Sequence, residues 1–289
     1  MLKLKKILLP VDFPHPSLGV IHQAAALARH FHSEIVMLHV VTALSHAAGV
    51  PLAGSKSAAG WDLLTEIIKV AEKEKDQTFG PEMDGLAVER VLARGGASEA
   101  IMQTALEEKT DLIMMPSHGH TFNQFLLGSE KTEALHGLNC PVWTGARVQA
   151  STPQQFAIRN VLCAVEFNPQ DRKAVEWAAY LAAEFGARLT LAHVTAAVEF
   201  WGPGGNYVKT SWKEALVKDA TEQIAELQQS MGTKADVFIG SGDVPKVLCQ
   251  AAKQIKADLL VTGCRPYGGR LRTHGYAIIC AVPIPVLNV

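Results

Sequence analysis

The sequence predicts an α/β chain of two tandem open parallel five-stranded sheets, each flanked by helices, and three observations carry that prediction. Short apolar runs such as Leu112–Pro116 (LIMMP) show no alternation, which is how strands covered on both faces of a parallel sheet read. Between these runs lie segments with apolar residues at three- and four-residue spacing, the mark of a helix with one buried face. The whole series then occurs a second time. Strands alternating with helices force parallel pairing with right-handed crossovers, and so a doubly wound sheet.

Composition bounds the rest. A length of 289 residues suggests about two domains, and 48% hydrophobic with 19% charged residues is ordinary globular material with ample core. A net charge of −1 argues against a nucleic-acid-binding surface. The N-terminal MLKLKKILLPVD is basic and then apolar, but the apolar run stops within a few residues at Asp12, too short for a signal segment or a membrane span. It reads as a first strand in a cytoplasmic protein. Five cysteines, at 140, 163, 249, 264 and 280, show no CxxC spacing, which argues for buried free thiols rather than disulfides or structural zinc.

In chain order, Lys6–Asp12 reads as a strand and Pro14–Ser17 as its turn. Val20, Ala24, Leu27, Ala28 and Phe31 then mark a helix that Ser33 breaks, and Ile35–Val41 is a second strand. The Ala-, Gly- and Ser-rich Ala43–Gly60 is longer than a usual connection. Trp61–Phe79 reads as helix, Val88–Leu92 as strand, Ser98–Lys109 as helix after Gly95 and Gly96, and Pro141–Gly145 as a fifth strand. Ile7–Val40 then matches Val161–Val194 without a gap at an offset of 154, with identities that include Val11/Val165, Phe31/Phe185, His39/His193 and Val40/Val194. At an offset of 147, Gly95/Gly242, Lys109/Lys256, Asp111/Asp258 and Leu112/Leu259 also coincide. The chain is read as an internal duplication: domain one over residues 1–148, a polar linker over 149–157 and domain two over 158–289.

In a doubly wound sheet, ligands sit outside the carboxyl ends of the strands, where the strand order reverses. Asp12, Val40 and the loop from Gly119 to Ser129 all follow strand ends in repeat one. A carboxylate can accept hydrogen bonds from sugar hydroxyls, an apolar strand end can flank a base, and a glycine-bearing loop that opens a helix can hold phosphate. Each piece also has a plain structural reading. Asp12 could cap its turn, Val40 could be core, and Ser129 could be the N-cap of an ordinary βα turn.

The order of these residues resembles the universal stress protein family, here in a tandem two-domain form, over both halves nearly end to end. The resemblance implies a Rossmann-like, adenine-nucleotide α-hydrolase-like fold. It also implies an ATP pattern of Gly, two residues, Gly, nine residues, Gly and Ser or Thr after the fourth strand. Asp12, Val40 after His39, Gly119, Gly128 and Ser129 match it. Pro116 stands at the first glycine, and eight residues, His120–Leu127, separate the later two. The nucleotide-binding set expected in repeat one is Val11, Asp12, Val40, Met115, Ser117, Gly119, Gly128 and Ser129. In repeat two the corresponding positions are Glu166, Val194, Gly263 and Gly275, but Pro266 and Tyr276 replace pattern residues, so that half is expected to be structural or regulatory. Trp201 and Tyr207, or Arg265, Arg270 and Arg272, could act there instead, the arginines against the plainer reading of a solvated basic face.

The expected ligand is ATP or another adenine nucleotide, with Mg²⁺ as its companion ion and no metal site of the protein's own. His118, His120, His15 and Asp12 do not make a closed ligand set. No P-loop lysine, nucleophile elbow or triad order is present, so the chain reads as a binder with at most slow turnover. His39 and His193 read as hydrogen-bonded core residues. The resemblance implies that fifth strands such as Pro141–Gly145 and Pro285–Val289 pair the two repeats into a pseudo-dimer, since an unpaired apolar edge invites association. Homodimerisation is left open, and no nucleic acid or membrane partner is expected. Two rival readings stand beside the binder: a nucleotide-independent scaffold with drifted loops, and a slow hydrolase or transferase.

Overall fold

The computed structural model describes residues 2–11, 17–41, 80–116, 140–145, 156–196, 200–202, 205–207, 210–263 and 272–289. The helix read over Trp61–Phe79, the Ala43–Gly60 connection, the Ser117–Ser129 loop and most of the linker lie outside these residues. Two compact units divide the chain between Cys140 and Pro141.

The first unit runs β1 (Lys6–Pro10), α1 (Leu18–Phe31), β2 (Glu34–Val41), α2 (Gly80–Met83), β3 (Val88–Arg94), α3 (Ala97–Glu107) and β4 (Leu112–Met115). Its strands lie in the order β3-β2-β1-β4, all parallel. Ile7, Leu8, Leu9, Ile35, Val36, Leu38 and all four residues of β4 are buried, so the unalternating runs do mark strands covered on both faces. The α1 stripe of Val20, Ile21, Ala24, Ala25, Leu27 and Ala28 is buried with them. That helix ends one residue before the expected break: His32 takes the left-handed conformation (φ 55°) and its N–H returns to the Ala28 carbonyl. Ser33 then donates its hydroxyl to the Leu4 carbonyl at 2.7 Å.

The second unit contains β5 (Val142–Thr144), β6 (Asn160–Ala164), α4 (Asp171–Phe185), β7 (Arg188–Thr195), a hairpin of β8 (Phe200–Gly202) and β9 (Gly205–Tyr207), α5 (Thr210–Met231), β10 (Asp236–Ser241), α6 (Val244–Gln254), β11 (Leu259–Thr262), α7 (Arg272–Ala281) and β12 (Val286–Asn288). Its main sheet has the order β10-β7-β6-β11-β12-β5. Every ladder is parallel except the last, where β5 runs antiparallel to β12 with Trp143 opposite Leu287. A strand that belongs to repeat one by sequence therefore covers the edge of β12, and the edge strand finds the partner its exposed backbone groups require.

The duplication extends to individual bonds. Asp111 accepts from the Lys5 and Lys6 amides at 2.8 and 3.0 Å, and Asp258 accepts from those of Arg159 and Asn160 at 2.7 and 3.0 Å. Gly95 and Gly242 share a positive φ of 116° and 128°. Lys109 and Lys256, at φ 50° and 53°, end matching helices whose next amides return to Ala105 and Ala252. The thiols depart from expectation: Cys163 alone is buried among the four described, and Cys140, Cys249 and Cys280 are partly exposed, all four free. Among the described residues no helix is long and apolar enough to cross a membrane.

Candidate functional site

Strand order reverses at the same place in both units, between β1 and β4 in the first and between β6 and β11 in the second, so each carboxyl end there is the place for a ligand. The two places are built differently. In the second unit, β6 and β11 pair from Val161–Leu259 through to Ala164–Thr262. In the first, pairing of β1 with β4 covers Ile7–Leu112 and Leu8–Ile113, in the same register but two pairs shorter at the carboxyl end. Pro10 explains the difference. The Lys6 carbonyl accepts from Asp111 on the β4 side, so strand alternation also aims residue 10 at β4, where proline has no N–H to give. Its counterpart in repeat two is Ala164, which has one.

The described residues of the predicted set surround that end. Val11 is 5% exposed, and its carbonyl accepts the Nδ1–H of His39 at 3.1 Å. His193 does the same for Val165 at 2.9 Å, so both histidines are hydrogen-bonded as expected, but they are half-buried and not core. Val40 is half-buried. Even-numbered residues of β2 present their backbone to β1, as the Leu38 carbonyl does to the Val11 amide. The Val40 backbone therefore faces the β1 side beyond the Pro10–Leu38 pair, toward the carboxyl end of β1. Met115 is fully buried at the end of β4, so its side chain is core there. Asp12, Ser117, Gly119, Gly128 and Ser129 lie outside the described residues, as do His15, His118 and His120.

Repeat two shows its strand-one connection in full. Glu166 is exposed, Val194 is half-buried, and Gly263 follows β11. Gly275 lies inside α7, whose first residue is Arg272, and not ahead of the helix as the loop pattern suggests. Asp171, which the sequence reading passed over, governs this connection. It is 2% exposed at the start of α4, and its Oδ2 accepts the amides of Glu166 at 3.0 Å and Asn168 at 2.9 Å. Asn168 Oδ1 in turn accepts the Gln170 amide at 2.8 Å. Between them Phe167 holds a φ of 58°, an uncommon conformation for a bulky residue, with its ring 4.2 Å from that of His193. The signal was present as Asn-Pro-Gln-Asp before a helical stripe, a turn whose two Asx side chains can bind backbone amides.

Burial lifts the Asp171 carboxyl above the ordinary carboxylate range, against the pull of the amides of Asn168, Glu166 and Phe167, and the Glu166 charge adds to the rise. Burial also pushes the Cys163 thiol up, with the Asp171 charge contributing. A folded-state value above the unfolded one means the folded chain binds the proton more tightly. Asp171's own contribution to stability is then full below about pH 4 and declines as pH rises through the raised value. Asp171→Asn removes that titration. The unfolding free energy of the parent minus that of the variant is therefore expected to fall from pH 4 to pH 7 in urea titrations at several pH values, and a difference that grows with pH contradicts the assignment.

Trp201 and Tyr207 are in strands of the β8–β9 hairpin, with Trp201 opposite Asn206 and Phe200 opposite Tyr207. Among the described residues no group of three or more His, Cys, Asp or Glu side chains could hold a metal ion.

Comparison with known proteins agrees with this geometry. A universal stress protein of Methanocaldococcus jannaschii is 30% identical over 141 residues, 48% of this chain and 79% of that protein. Universal stress protein A homolog 2 of Coxiella burnetii is 28% identical over 142 residues, 48% of this chain and 92% of its own length. The crystal structure of a universal stress protein from Archaeoglobus fulgidus superposes with a TM-score of 0.67 at 21% identity, covering 100% of this chain and 97% of that one, which is a likeness of fold. The profile of the universal stress protein family matches twice, over residues 3–144 and 157–287. With two such matches in one chain, each built on the same strand order and the same paired aspartates, this protein belongs to the universal stress protein family as a tandem member.

Proposed function

We propose that the protein is a cytoplasmic binder of ATP or a related adenine nucleotide that works as a regulatory module and carries its nucleotide in repeat one. The observation that supports this most is the early end of the β1–β4 pairing at Leu8–Ile113, at the point of strand-order reversal and next to the Val40 backbone. In a doubly wound sheet the carboxyl ends of strands at the point of order reversal are where ligands are taken. Asp12 is the group proposed to take the ribose, and the Gly119–Ser129 loop the phosphates with any accompanying Mg²⁺. Repeat two, with its strands paired to Ala164–Thr262, is proposed as the structural and regulatory half. The absence of a P-loop lysine from the sequence favours binding over turnover.

Equilibrium dialysis of the full chain with labelled ATP tests the reading. Asp12→Ala and Gly128→Val are each expected to weaken binding at least tenfold, which is about 1.4 kcal/mol. Unchanged affinity in both variants removes this site, and binding by neither variant nor parent favours the scaffold. Release of ADP or AMP over hours favours the hydrolase or transferase.

A further inference from the structure

β10 is the outer strand of the second unit's main sheet and is bonded on one side only, to β7. The Gly242 amide donates to the Thr195 carbonyl, and the Gly240 carbonyl accepts the Thr195 hydroxyl, so even-numbered residues turn their backbone to β7. By strand alternation Val237, Ile239 and Ser241 turn theirs outward. Among the described residues no strand meets that side.

Proteins blunt such an edge with charge, proline or a bulge. β10 has none of these over Val237–Ser241. It keeps an unbroken register with β7 through all six residues, and its one charge, Asp236, stands at the first of them. Val237 is 43% exposed, and Val217 on α5, which packs against this strand, is 44% exposed. In repeat one the corresponding edge strand is β3, whose Ala87 carbonyl faces β2, so Arg90 lies outward there as Val237 does here. At the offset of 147, Val237 corresponds to Arg90, Ile239 to Leu92 and Ser241 to Arg94. Two arginine positions set β3 against a second copy of itself, since like charges brought opposite one another are destabilising. β10 has lost both.

We propose that β10 is the interface through which two copies of this chain pair, antiparallel about a twofold axis at Ile239. Bonds already made within the chain set the register. Ala235, the next outward residue before Val237, has given its amide to Gln228 Oε1 at 2.6 Å, and Gly242, at φ 128°, turns the chain out of the strand. Pairing the three remaining outward residues with their copies sets Ile239 opposite itself and Val237 opposite Ser241 of the second copy. Charge agrees with this register. Ala235 falls opposite Asp243 of the second copy, so the exposed Lys234 of each chain comes beside the exposed Asp243 of the other. On the side-chain level, a Cβ on Gly240 would point at Val247, so Val237 and Ile239 lie on the opposite face and adjoin their copies there. The chain already covers one edge by antiparallel pairing, β12 by the three-residue β5, and β10 offers six residues for the same purpose. A twofold pair of this kind closes on itself and leaves no further edge of β10 to extend.

Sedimentation velocity of the full chain, from micromolar to millimolar concentration, reads the state directly. The wild type is expected to dimerise. Val237→Arg and Ser241→Arg, which install the residues of repeat one at two exposed positions, are each expected to raise the dissociation constant at least tenfold. Because residues 237 and 241 face each other across the twofold, Val237→Arg combined with Ser241→Glu sets opposite charges together at both ends of the ladder. That double variant is expected to recover dimer relative to Val237→Arg alone. Amide hydrogen exchange at Val237 and Ile239 of the wild type, which depends on no variant, is expected to slow as concentration rises. A wild type that stays monomeric throughout overturns the interface. A dimer that neither arginine weakens is made through another surface and overturns it as well. Failure of the opposite-charge pair to recover what Val237→Arg loses overturns the register at Ile239.

Discussion

Trp143→Ala is expected to lower unfolding stability by about 3–5 kcal/mol, the usual cost of emptying the space of a buried tryptophan. Trp143 is 1% exposed, among the largest fully buried side chains in the chain. Its ring lies 6.0 Å from that of Phe156, which in turn meets Phe185 at the end of α4 edge-on at 6.2 Å. The strand it sits on is three residues long and pairs antiparallel with β12, where Thr144 also donates its hydroxyl to the Val286 carbonyl at 3.1 Å. A ladder that short is weak by itself, and the buried tryptophan adds packing to its backbone bonds. The measurement is the urea midpoint at constant m-value, with Trp143→Phe as control, expected to keep more than half of the lost stability. A loss under about 1 kcal/mol for the alanine variant means that β5 is peripheral and that the edge of β12 does not need it.

That strand also shows where sequence reading stops. The buried strands were legible because a parallel sheet covers both faces of each, and an unalternating run such as Leu112–Met115 has few other uses. The repeat was legible because two copies share a register, and it reaches down to Gly95 and Gly242, each forced to a positive φ only glycine adopts readily. The partner of β5 was not legible from Val142–Thr144 itself: a three-residue apolar strand carries no mark of the edge it will join, and only the family resemblance suggested pairing between repeats. Pro10 was visible throughout, but its effect depends on knowing that alternation aims it at β4 and not at β2. The β8–β9 hairpin was missed although aromatic residues flank a Gly-Pro-Gly-Gly turn in the sequence, which is a hairpin signal. Asp111 and Asp258 were legible only as an identity between the repeats, since the amides they bind are about a hundred residues away in sequence. For the candidate site, the strand ends were read from spacing, whereas the turn of repeat two was passed over because its organising group, Asp171, lies inside the helix that follows and binds amides three and five residues back.

Gly240→Ala is expected to destabilise the chain by about 1–3 kcal/mol, and Val247→Ala to restore part of that loss when combined with it. A methyl on Gly240, in β10, would overlap Val247 Cγ1 on α6 and come within 3.2 Å of the Phe238 ring. Val247 is 8% exposed and cannot swing into solvent without leaving the core, and a β-branched side chain has little rotamer freedom with which to yield. The corresponding residues of repeat one are Ala93 and Ala100, so the duplicated positions hold the same helix–strand contact in two forms, glycine against valine and alanine against alanine. Val247→Ala alone removes two methyl groups and is expected to cost about 1–2 kcal/mol at roughly 0.8 kcal/mol per buried carbon. If the two repeats are alternative solutions to one packing problem, the double variant reproduces the contact of repeat one, and its loss is smaller than the sum of the single losses by about 1 kcal/mol or more. Gly240→Ala also narrows the unfolded ensemble, which offsets about 0.4–1 kcal/mol of the single loss and leaves the coupling term unaffected, because the same offset enters both arms of the cycle. Strict additivity in the urea titrations means that the methyl is accommodated by a shift of α6 and not by the size of residue 247.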